Sequence, residues 1–372
     1  MKINQDTDIL LISTSLNLGG SEAQAVKLAN NLSNIEKKIH FISLKEGGIL
    51  KPRLAKDIEV TEYNLYVKSK KKFFPKFRSI IWFIIASLRL RRRLKNQKIT
   101  IISFLFHASF FGFLVSAGKK NIKHIVSIRS DRFTGRKKRN LILREIVMKI
   151  LVIFSELVVF NSKTSHSKYS KRFNIEDKSK VINNFIDVGK VDFKLREKNS
   201  TSCKGIYVGR LDKLKNIDSL VNSFVELKKY DVYLDIYGEG SEFEYLKKLI
   251  QKNNLVENVK LKGLQLNIIE KSEQYDFLIL TSFHEGYPNV IFEAMNNFLF
   301  TISTDVGDVK ELINKDTGLI IDGFDADSIS KAVKKYIKIP KNKKLDMVYQ
   351  AYTNLNQNFN ADNIIKSWVE II

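Results

Sequence analysis

Short runs of apolar residues alternate along the chain with longer amphipathic segments. Such runs, bounded by glycine or polar residues, predict buried strands, and apolar positions three and four residues apart predict helices. In the first half, the predicted strands are residues 8–14, 38–44, 58–65, 99–105, 124–129, 157–162 and 180–186. A helix with apolar positions Ala25, Leu28, Ala29 and Leu32 follows the first strand. This alternation predicts a parallel sheet with helices on both faces.

The alternation restarts after a polar, charged stretch at residues 187–202. Further strands are predicted at residues 205–208, 232–237, 259–264, 277–280 and 300–303, and helices from residue 216 and at 289–297, 326–337 and 342–372. The prediction is therefore an α/β protein with two doubly wound, Rossmann-like domains facing a cleft, where ligands commonly bind. We place the domains at residues 1–187 and 203–353, with a linker at 188–202 and a C-terminal helix at 354–372.

The positive charge is concentrated in one part of the chain. The 372 residues carry a net charge of +23, of which residues 63–150 hold +21, from 23 Lys and Arg against 2 Asp and Glu. Residues 1–62 sum to zero and residues 151–372 to +2. A localised basic surface predicts an anionic partner there.

Residues 68–98 form the most basic segment, with 12 Lys and Arg and no acidic residue. Lys70–Lys72 and Arg91–Arg93 flank the apolar run at 80–85, which is too short to span a bilayer. A basic helix with Trp and Phe on its apolar face is typical of a membrane interface, so we predict contact with an anionic membrane surface. A core helix with solvated ends is the plainer alternative. Nucleic acid is not predicted, because no nucleic-acid motif accompanies the charge.

Two other features limit the class of protein. Residues 101–118 are apolar, but a strand, a turn near His107 and a helix explain them as well as a membrane span does. The single cysteine, Cys203, excludes an internal disulfide framework and a multi-cysteine metal site. No N-terminal signal peptide is apparent.

Three motifs at predicted strand ends combine cations, glycines and carboxylates. Residues 208–216 place Arg210 and Lys215 between a strand and a helix, where both cations could meet phosphate oxygens. Residues 238–240 read Gly-Glu-Gly after the next strand. Residues 284–295 contain Glu285 and Glu293 around the start of a helix, whose free backbone amides suit an anion. The motifs predict an anion and hydroxyl site at the carboxyl ends of the strands.

Each motif also has a plainer interpretation. Taken alone, Glu285 and Glu293 are two surface carboxylates, and a basic pair in a loop is more often solvated than functional. His107 could be structural, and Gly19 with Gly20 could form only a close strand-to-helix turn. The Asp-x-Asp pattern at residues 325–327 is better explained by helix capping than by metal binding, so no metal is predicted.

Taken together, these motifs resemble the retaining GT-B glycosyltransferases of family 4, also described as glycosyl transferases group 1. Residues 18–22 (Leu-Gly-Gly-Ser-Glu) resemble that family's glycine-rich first loop, and residues 183–187 resemble its Asn-Gly-Ile-Asp segment. The resemblance covers roughly residues 8–340 and is strongest over 205–320. Asn184 stands where a Gly is usual, and Gly307-Asp308 where a Gly pair is frequent. These departures put the local geometry in question and leave the predicted fold intact.

The resemblance implies roles for the matching residues. Arg210 and Lys215 would bind and stabilise the departing diphosphate, Glu285 would contact the donor sugar, and Glu293 would hold the ribose hydroxyls. His107 would face the sugar from the first domain. The remaining donor-site residues would be Gly209, Gly238, Gly240, Gly286, Tyr287, Pro288, Asn289 and Val290. Gly19 and Gly20 would border the acceptor or the diphosphate. The C-terminal helix would return to the N-terminal domain.

The implied activity is sugar transfer from a nucleoside diphosphate sugar, with a UDP-sugar favoured over a GDP-sugar and no cofactor. We expect retention of configuration and a lipid-linked saccharide acceptor, as in capsule, lipopolysaccharide or other polysaccharide biosynthesis. The protein would be cytoplasmic and peripheral on the inner face of the cell membrane. Two alternatives remain open: a GT-B nucleotide-sugar epimerase or hydrolase, and an inactive GT-B subunit that tethers a partner to the membrane.

Overall fold

A computed structural model describes residues 7–65, 75–129, 138–187 and 202–372. The chain divides into two compact units, of which unit 1 comprises Met1–Asn184 with Ala361–Ile372 and unit 2 comprises Phe185–Asn360. Lys70–Lys72 and, except for Ser202, the predicted linker lie outside the described residues.

Unit 1 contains a parallel sheet with helices between consecutive strands. Its strands are β1 Ile9–Ser13, β2 Ile39–Ser43, β3 Glu59–Glu62, β4 Ile99–Phe104, β5 Ile122–Ile128, β6 Leu157–Phe160 and β7 Ser179–Val181. Its helices are α1 Gly20–Asn34, α2 Pro75–Arg93, α3 Phe106–Ser116, α4 Lys138–Phe154, α5 Lys163–Phe173 and, in chain-order numbering, α12 Ala361–Val369. Every residue of β1, β2 and β4 is buried, as expected for strands covered on both faces.

The strand order in unit 1 is β3-β2-β1-β4-β5-β6-β7. The order reverses between β1 and β4, so the loops that follow these two strands open at the same edge of the sheet. Leu105 ends the β4 loop with φ 73° and ψ 158°, a region of backbone conformation almost confined to glycine. The side chain of Leu105 is nevertheless buried, and α3 begins directly after it.

Helix α12 packs within unit 1 through a buried aromatic and cationic cluster. The indole of Trp368 is fully buried and lies 6.4 Å from the ring of Phe104. The guanidinium of Arg129 stands over both rings, 5.0 Å from Phe104 and 5.6 Å from Trp368. Arg129 also donates to Asn184 Oδ1 at 2.8 Å. Asn184, which stands where the resembled family usually has glycine, therefore accepts a hydrogen bond that glycine could not. The cluster therefore joins α12, β4 and the end of the first chain segment of unit 1.

Unit 2 repeats the parallel architecture. Its strands are β8 Cys203–Val208, β9 Val232–Tyr237, β10 Val259–Gly263, β11 Phe277–Leu280, β12 Phe300–Thr304 and β13 Leu319–Ile321. Its helices are α6 Ile217–Leu227, α7 Phe243–Lys252, α8 Asn289–Asn296, α9 Val309–Leu312, α10 Ala326–Lys338 and α11 Lys341–Asn358. The strand order is β10-β9-β8-β11-β12-β13, so the reversal falls between β8 and β11. The predicted fold class, two parallel-sheet α/β domains, is confirmed.

Several predicted boundaries differ from the observed ones. The strand predicted at 180–186 is only Ser179–Val181, because the chain then leaves the sheet edge and Ile186 forms an isolated bridge with Asn360. The helix predicted over 342–372 is two helices, α11 and α12, and the return to unit 1 begins at Ala361 rather than at residue 354. The short edge strand β13 was not predicted.

Two expectations concerning helices are resolved by the structure. Residues 101–118 form the end of β4, a turn and α3, so the strand-turn-helix interpretation is correct. Asp325 caps α10 by accepting from the backbone amide of Ser328 at 2.9 Å, as the capping interpretation requires.

Within the described part of the chain, no helix combines the length and the apolar character needed to cross a bilayer.

The backbone strain at Leu105 predicts an unusual order of stabilities. We expect Leu105→Gly to be more stable than Leu105→Ala by roughly 0.5–2 kcal/mol, because glycine relieves a strain of about 1–3 kcal/mol that exceeds its added entropy cost. Both variants lose the same buried contacts, so the comparison isolates the backbone. Denaturant unfolding measures it. At Leu32, buried within α1, the order should reverse by about 1 kcal/mol. Equal stabilities of the two Leu105 variants would contradict the strain.

Buried His124 predicts a pH-dependent stability of unit 1. Burial lowers the pKa of His124 to about 3, and its Nε2 lies 2.9 Å from Ser103 Oγ. Below pH about 6.5 the unfolded chain takes up a proton that the folded chain refuses. We therefore expect this group to remove about 1.4 kcal/mol of stability per pH unit between pH 6 and 4. The free energy of unfolding, measured with denaturant across that range, should change with pH less steeply by this amount in His124→Gln. Ser103→Ala, which removes no titrating group, should keep the parent slope.

Candidate active site

The residues predicted to bind the donor converge on the carboxyl ends of the strands in unit 2. Gly209, Arg210 and Lys215 lie in the loop that follows β8, and Glu285 lies in the loop that follows β11. Because β8 and β11 are neighbours at the strand reversal, these two loops open side by side.

Lys215 and Glu285 form an ion pair across that reversal. Lys215 Nζ lies 2.5 Å from Glu285 Oε1, and their side chains are 17% and 15% exposed. Ser282 Oγ donates to the same oxygen at 2.7 Å. No other described residue donates to Glu285, so Oε2 stays uncommitted within the described part of the chain. A carboxylate held in this way can accept a hydroxyl through Oε2 while the ammonium beside it faces an anion.

Backbone contacts fix the two loops against each other. Thr281 Oγ1 donates to the carbonyls of Lys215 and Asn216, at 3.0 and 3.3 Å, and the Phe283 amide donates to Leu214 O at 2.8 Å. Asn216 turns the chain into α6 with a φ of 53°, a left-handed conformation that asparagine tolerates well. Lys215 therefore projects from a tightly held turn.

Arg210 is the more exposed of the two predicted cations. Its side chain is 73% exposed, and its guanidinium pairs at 3.3 Å with Asp212, which also caps the following turn. An exposed pair of this kind is weak, so Arg210 can turn toward a bound anion at little cost. Below it, Tyr207 is buried and its hydroxyl donates to Arg210 O at 3.4 Å. Burial, with Glu285 and Asp212 nearby, raises the pKa of Tyr207, which therefore stays a neutral phenol.

Helix α8 supplies the backbone amides and the second carboxylate. It begins at Asn289, and its N-cap residue Pro288 has no side-chain cap. The first amides, including that of Val290, therefore lie at a positive helix end without a side-chain acceptor from the capping position. Glu293 is half-buried on the same helix, one turn further along. Along the chain, the start of α8 thus lies between Glu285 and Glu293, and its role as an anion site stays a prediction.

Glycines at the site allow backbones to touch. Gly238 has a φ of 145°, and a Cβ there would collide with the carbonyl oxygen of Gly209. Gly238 and Gly240, predicted as donor-binding, thus hold the loops after β8 and β9 together, and direct donor contact by either stays a prediction. Gly307 has a φ of 57° and packs under the carbonyls of Glu285 and Gly286. The neighbouring Asp308 has an ordinary φ of −103°, so the missing second glycine of the family pattern is tolerated.

The side chain of Tyr287 does not face the site. Its ring packs 5.2 Å from Phe292 and 5.8 Å from Phe359, and its hydroxyl meets Glu311 at 3.5 Å. Burial, together with Glu311 and Asp308, raises the pKa of Tyr287. Pro288 is also buried. Because these side chains serve the core, any donor contact by Tyr287 or Pro288 would come from the backbone.

The predicted residues of unit 1 lie at its own strand reversal. Gly19 is the N-cap of α1 with an extended φ of −168°, which any residue could adopt, and Gly20 begins the helix. His107 is the second residue of α3, half-buried, with its ring 5.7 Å from that of Phe106. Gly19, Gly20 and His107 thus follow β1 and β4, the two strands between which the order reverses. Their roles toward acceptor or donor stay predictions.

Sequence reasoning missed three residues that shape the site in unit 2, and one that lies beside the predicted residues of unit 1. Ser282 and Thr281 orient Glu285 and Lys215, Tyr207 supports the β8 loop, and Leu105 sets the start of α3. The hydroxyls three and four positions before Glu285 were a usable signal. Nothing in the sequence marks Leu105, because leucine gives no hint of a left-handed conformation.

No group of three His, Cys, Asp or Glu side chains within the described ranges could hold a metal ion. The described site consists of two cations, two carboxylates and a helix N-terminus. Such a set can bind a diphosphate, offset the negative charge that develops on it, and orient hydroxyl groups.

The curated relatives that this chain matches include several glycosyltransferases. The chain is 29% identical over 209 residues to a Campylobacter jejuni N-acetylgalactosaminyltransferase, whose full name specifies a diphospho-undecaprenol-linked saccharide and a 4-alpha linkage. That match covers 55% of this chain and 57% of the relative. The chain thus spans about half the length of several curated relatives it matches. An uncharacterized glycosyltransferase of Haemophilus influenzae matches over 95% of this chain and 96% of its own length, at 24% identity.

Among solved structures, the Anabaena protein HepE in complex with UDP-glucose superposes with a TM-score of 0.80. It covers 98% of each chain at 17% sequence identity, a likeness that concerns the fold alone.

Two family profiles match consecutive parts of the chain. Glycosyltransferase Family 4 matches residues 18–190, and Glycosyl transferases group 1 matches residues 191–354. The chain therefore belongs to the family 4 glycosyltransferases, which have the GT-B fold.

Proposed function

We propose that this protein transfers a sugar from a UDP-sugar to a lipid-linked saccharide with retention of configuration. The Lys215–Glu285 pair at the β8/β11 reversal, beside the uncapped end of α8, carries the proposal. The Campylobacter relative, whose name specifies a diphospho-undecaprenol-linked saccharide and an alpha linkage, supports the acceptor class and the stereochemistry. HepE, solved with UDP-glucose, supports uridine as the base.

In this proposal the donor diphosphate lies between the β8 loop and the start of α8. Breaking the glycosyl phosphate bond leaves negative charge on the nucleoside diphosphate, and Lys215, Arg210 and the helix amides offset it. Lys215 is already fixed by Glu285 before the donor arrives, so little reorganisation accompanies the reaction. Arg210 moves from Asp212 to the phosphates.

The two carboxylates hold the ends of the donor. Glu285 accepts a sugar hydroxyl through Oε2, and Glu293 accepts the ribose hydroxyls. We further propose a part in sugar binding for His107, and a part in binding the acceptor or the diphosphate for Gly19 and Gly20. Neither glutamate acts as a nucleophile here, because each is assigned to hydroxyl recognition. An epimerase, a hydrolase or an inactive tethering subunit would transfer no sugar to a saccharide acceptor.

We place the protein at the inner face of the cell membrane, where a lipid-linked acceptor lies within reach. The basic surface of residues 63–150 supports this placement through attraction to anionic lipids. Not every arginine of that surface is available. Arg91 Nη1 donates to the carbonyls of Val115 and Ala117 at 3.1 and 2.7 Å. The Arg91 side chain therefore caps the C-terminal end of α3 and does not face lipid. Arg89 and Arg92 are exposed.

Separate measurements of UDP binding and transfer test the donor site. Lys215→Ala should weaken UDP binding about 10- to 100-fold in calorimetry, because a charge-assisted contact is lost. Glu285→Gln should leave UDP affinity nearly unchanged and lower the transfer rate about 100-fold or more, because the sugar is the only part of the donor that Glu285 contacts in this proposal. The double variant should lose less than the product of the two single losses. Chromatography of products with and without acceptor follows transfer.

The ion pair between Lys334 and Glu226, at 2.6 Å on α10 and α6, provides a matched control. Lys334→Ala with Glu226→Gln should keep both UDP affinity and transfer. Free or epimerised sugar formed equally fast with donor alone would contradict transfer and favour the epimerase or hydrolase. Full activity in Lys215→Ala and Glu285→Gln would exclude this site.

Removing positive charge from helix α2 tests the role of the basic surface in vesicle binding. Arg89→Ser with Arg92→Ser should weaken binding to anionic vesicles, measured by co-sedimentation, by about 30-fold, since each basic residue near the surface contributes about 1 kcal/mol. Raising the salt concentration should also weaken vesicle binding by the parent protein, because salt screens the charges. Arg91→Ser should instead lower the melting temperature. Vesicle binding that is unchanged in the Arg89→Ser, Arg92→Ser variant would contradict the basic surface.

A further inference from the structure

Helix α4 carries an apolar stripe that faces solvent. Ile146 and Phe154 are 52% and 60% exposed, and Ile150 and Ile153 between them are exposed too. The spacings of four, three and one residues place these side chains on one side of the helix. Met148, Leu151 and Val152, on the other side, are buried in the core of unit 1. The helix is therefore apolar on both its core side and its outer side.

Helix α2 has a second stripe of the same kind. Ile80, Ile81, Ile84 and Leu88 are exposed on one side of the helix. Trp82 is also exposed, on the side that carries Arg89 and Arg93. Ala86 and Leu90, on the inner side, are buried against α3 and the sheet. Large aliphatic and indole side chains grouped in the open are unusual on a protein surface without a partner.

A line of phenylalanine rings joins the two stripes. Helix α3 packs between α2 and α4. The ring of Phe83 on α2 lies 5.9 Å from Phe110, Phe110 lies 6.2 Å from Phe113, and Phe113 lies 5.7 Å from Phe154 on α4. The aromatic contacts run across all three helices, so the stripes border one continuous apolar face, which we name the α2–α4 face.

The charges around the α2–α4 face select its partner. Arg89 and Arg92 on α2 and Lys149 on α4 are exposed at its sides. The surrounding residues 63–150 hold +21. A second copy of this chain would bring equal positive charge against it, which disfavours self-association. An anionic bilayer offers both phosphates for the cations and an acyl boundary for the apolar side chains.

We propose that the α2–α4 face docks on an anionic bilayer, with Ile150, Ile153 and Phe154 of α4 entering the boundary between headgroups and acyl chains. Trp82 lies at the headgroup level, and Arg89, Arg92 and Lys149 contact lipid phosphates. The inference rests on the proposed function in that a lipid-linked acceptor calls for a membrane-bound enzyme. It extends the docking surface beyond the basic segment 68–98, since α4 contributes the deepest apolar contact.

The test uses the full chain and vesicles of phosphatidylglycerol and phosphatidylcholine. Ile150→Gln with Ile153→Gln keeps the charge and the helix propensity while removing exposed apolar area. We expect co-sedimentation to fall about tenfold or more, and the melting temperature to stay unchanged. The matched control is Val225→Gln with Val256→Gln, two exposed valines of unit 2, which should bind as the parent does. A fluorescence blue shift of Trp82 on vesicle addition should appear in the parent, and Trp368→Phe removes the other indole from the signal.

Three outcomes would overturn the proposal. The first is equal vesicle binding by the parent and the α4 variant. The second is a parent that binds no vesicles. The third is a light-scattering mass that falls from dimer to monomer in the α4 variant while vesicle binding persists, which would assign the face to a second copy. An acidic protein would be the occupant if such a protein, and not vesicles, protected α4 from hydrogen exchange.

Transfer to a detergent-dispersed acceptor separates this inference from the proposed function. We expect the α4 variant to keep parental transfer there, because no donor-site residue is changed. Intact docking without transfer from any nucleotide sugar would reject the proposed function and leave the α2–α4 face standing. Intact transfer with unchanged docking in the variant would reject the face alone.

Discussion

The reversal of strand order between β8 and β11 is the constraint on which the candidate site depends. All strands of a parallel sheet end at the same edge, and at a reversal the following loops separate toward opposite faces and leave room between them. Lys215 and Glu285, 70 positions apart in the chain, meet at 2.5 Å in that space. Both side chains are mostly shielded from water, and Ser282 donates to the carboxylate. The corresponding reversal in unit 1 places Gly19 and His107 after neighbouring strands, at the starts of α1 and α3.

Close backbone packing keeps these loops in place. Gly238 and Gly307 let neighbouring carbonyls approach where any Cβ would collide, and both support the loops that hold Lys215 and Glu285. Leu105 is the opposite case, a bulky residue held in a conformation that favours glycine. Its burial and the start of α3 maintain that conformation. Strain of this kind persists only where the surrounding structure enforces it, and here it lies two residues before His107.

Basic residues of unit 1 divide into structural and exposed groups. Arg129 is buried over two aromatic rings, where burial lowers the pKa of its guanidinium, and it holds α12 and Asn184 in place. Arg91 binds the carbonyls that end α3. Arg89, Arg92 and Lys149 remain on the surface beside exposed apolar side chains. A count of charges alone cannot make this division, because it depends on which face of each helix meets the core.

The sequence alone determined the α/β class, the repeating strand and helix order, and the motifs that carry the family, since apolar periodicity and glycine, cation and carboxylate spacing are local properties. It also located Arg210, Lys215 and Glu285 in loops after predicted strands, and Glu293 in the helix that follows. Only the tertiary structure decided that Lys215 pairs with Glu285, that the Tyr287 ring belongs to the core, and that Arg91 is structural. It also decided that α4 shows an apolar stripe to solvent. These facts depend on contacts between distant segments, and a residue's own neighbours in the chain carry no record of them.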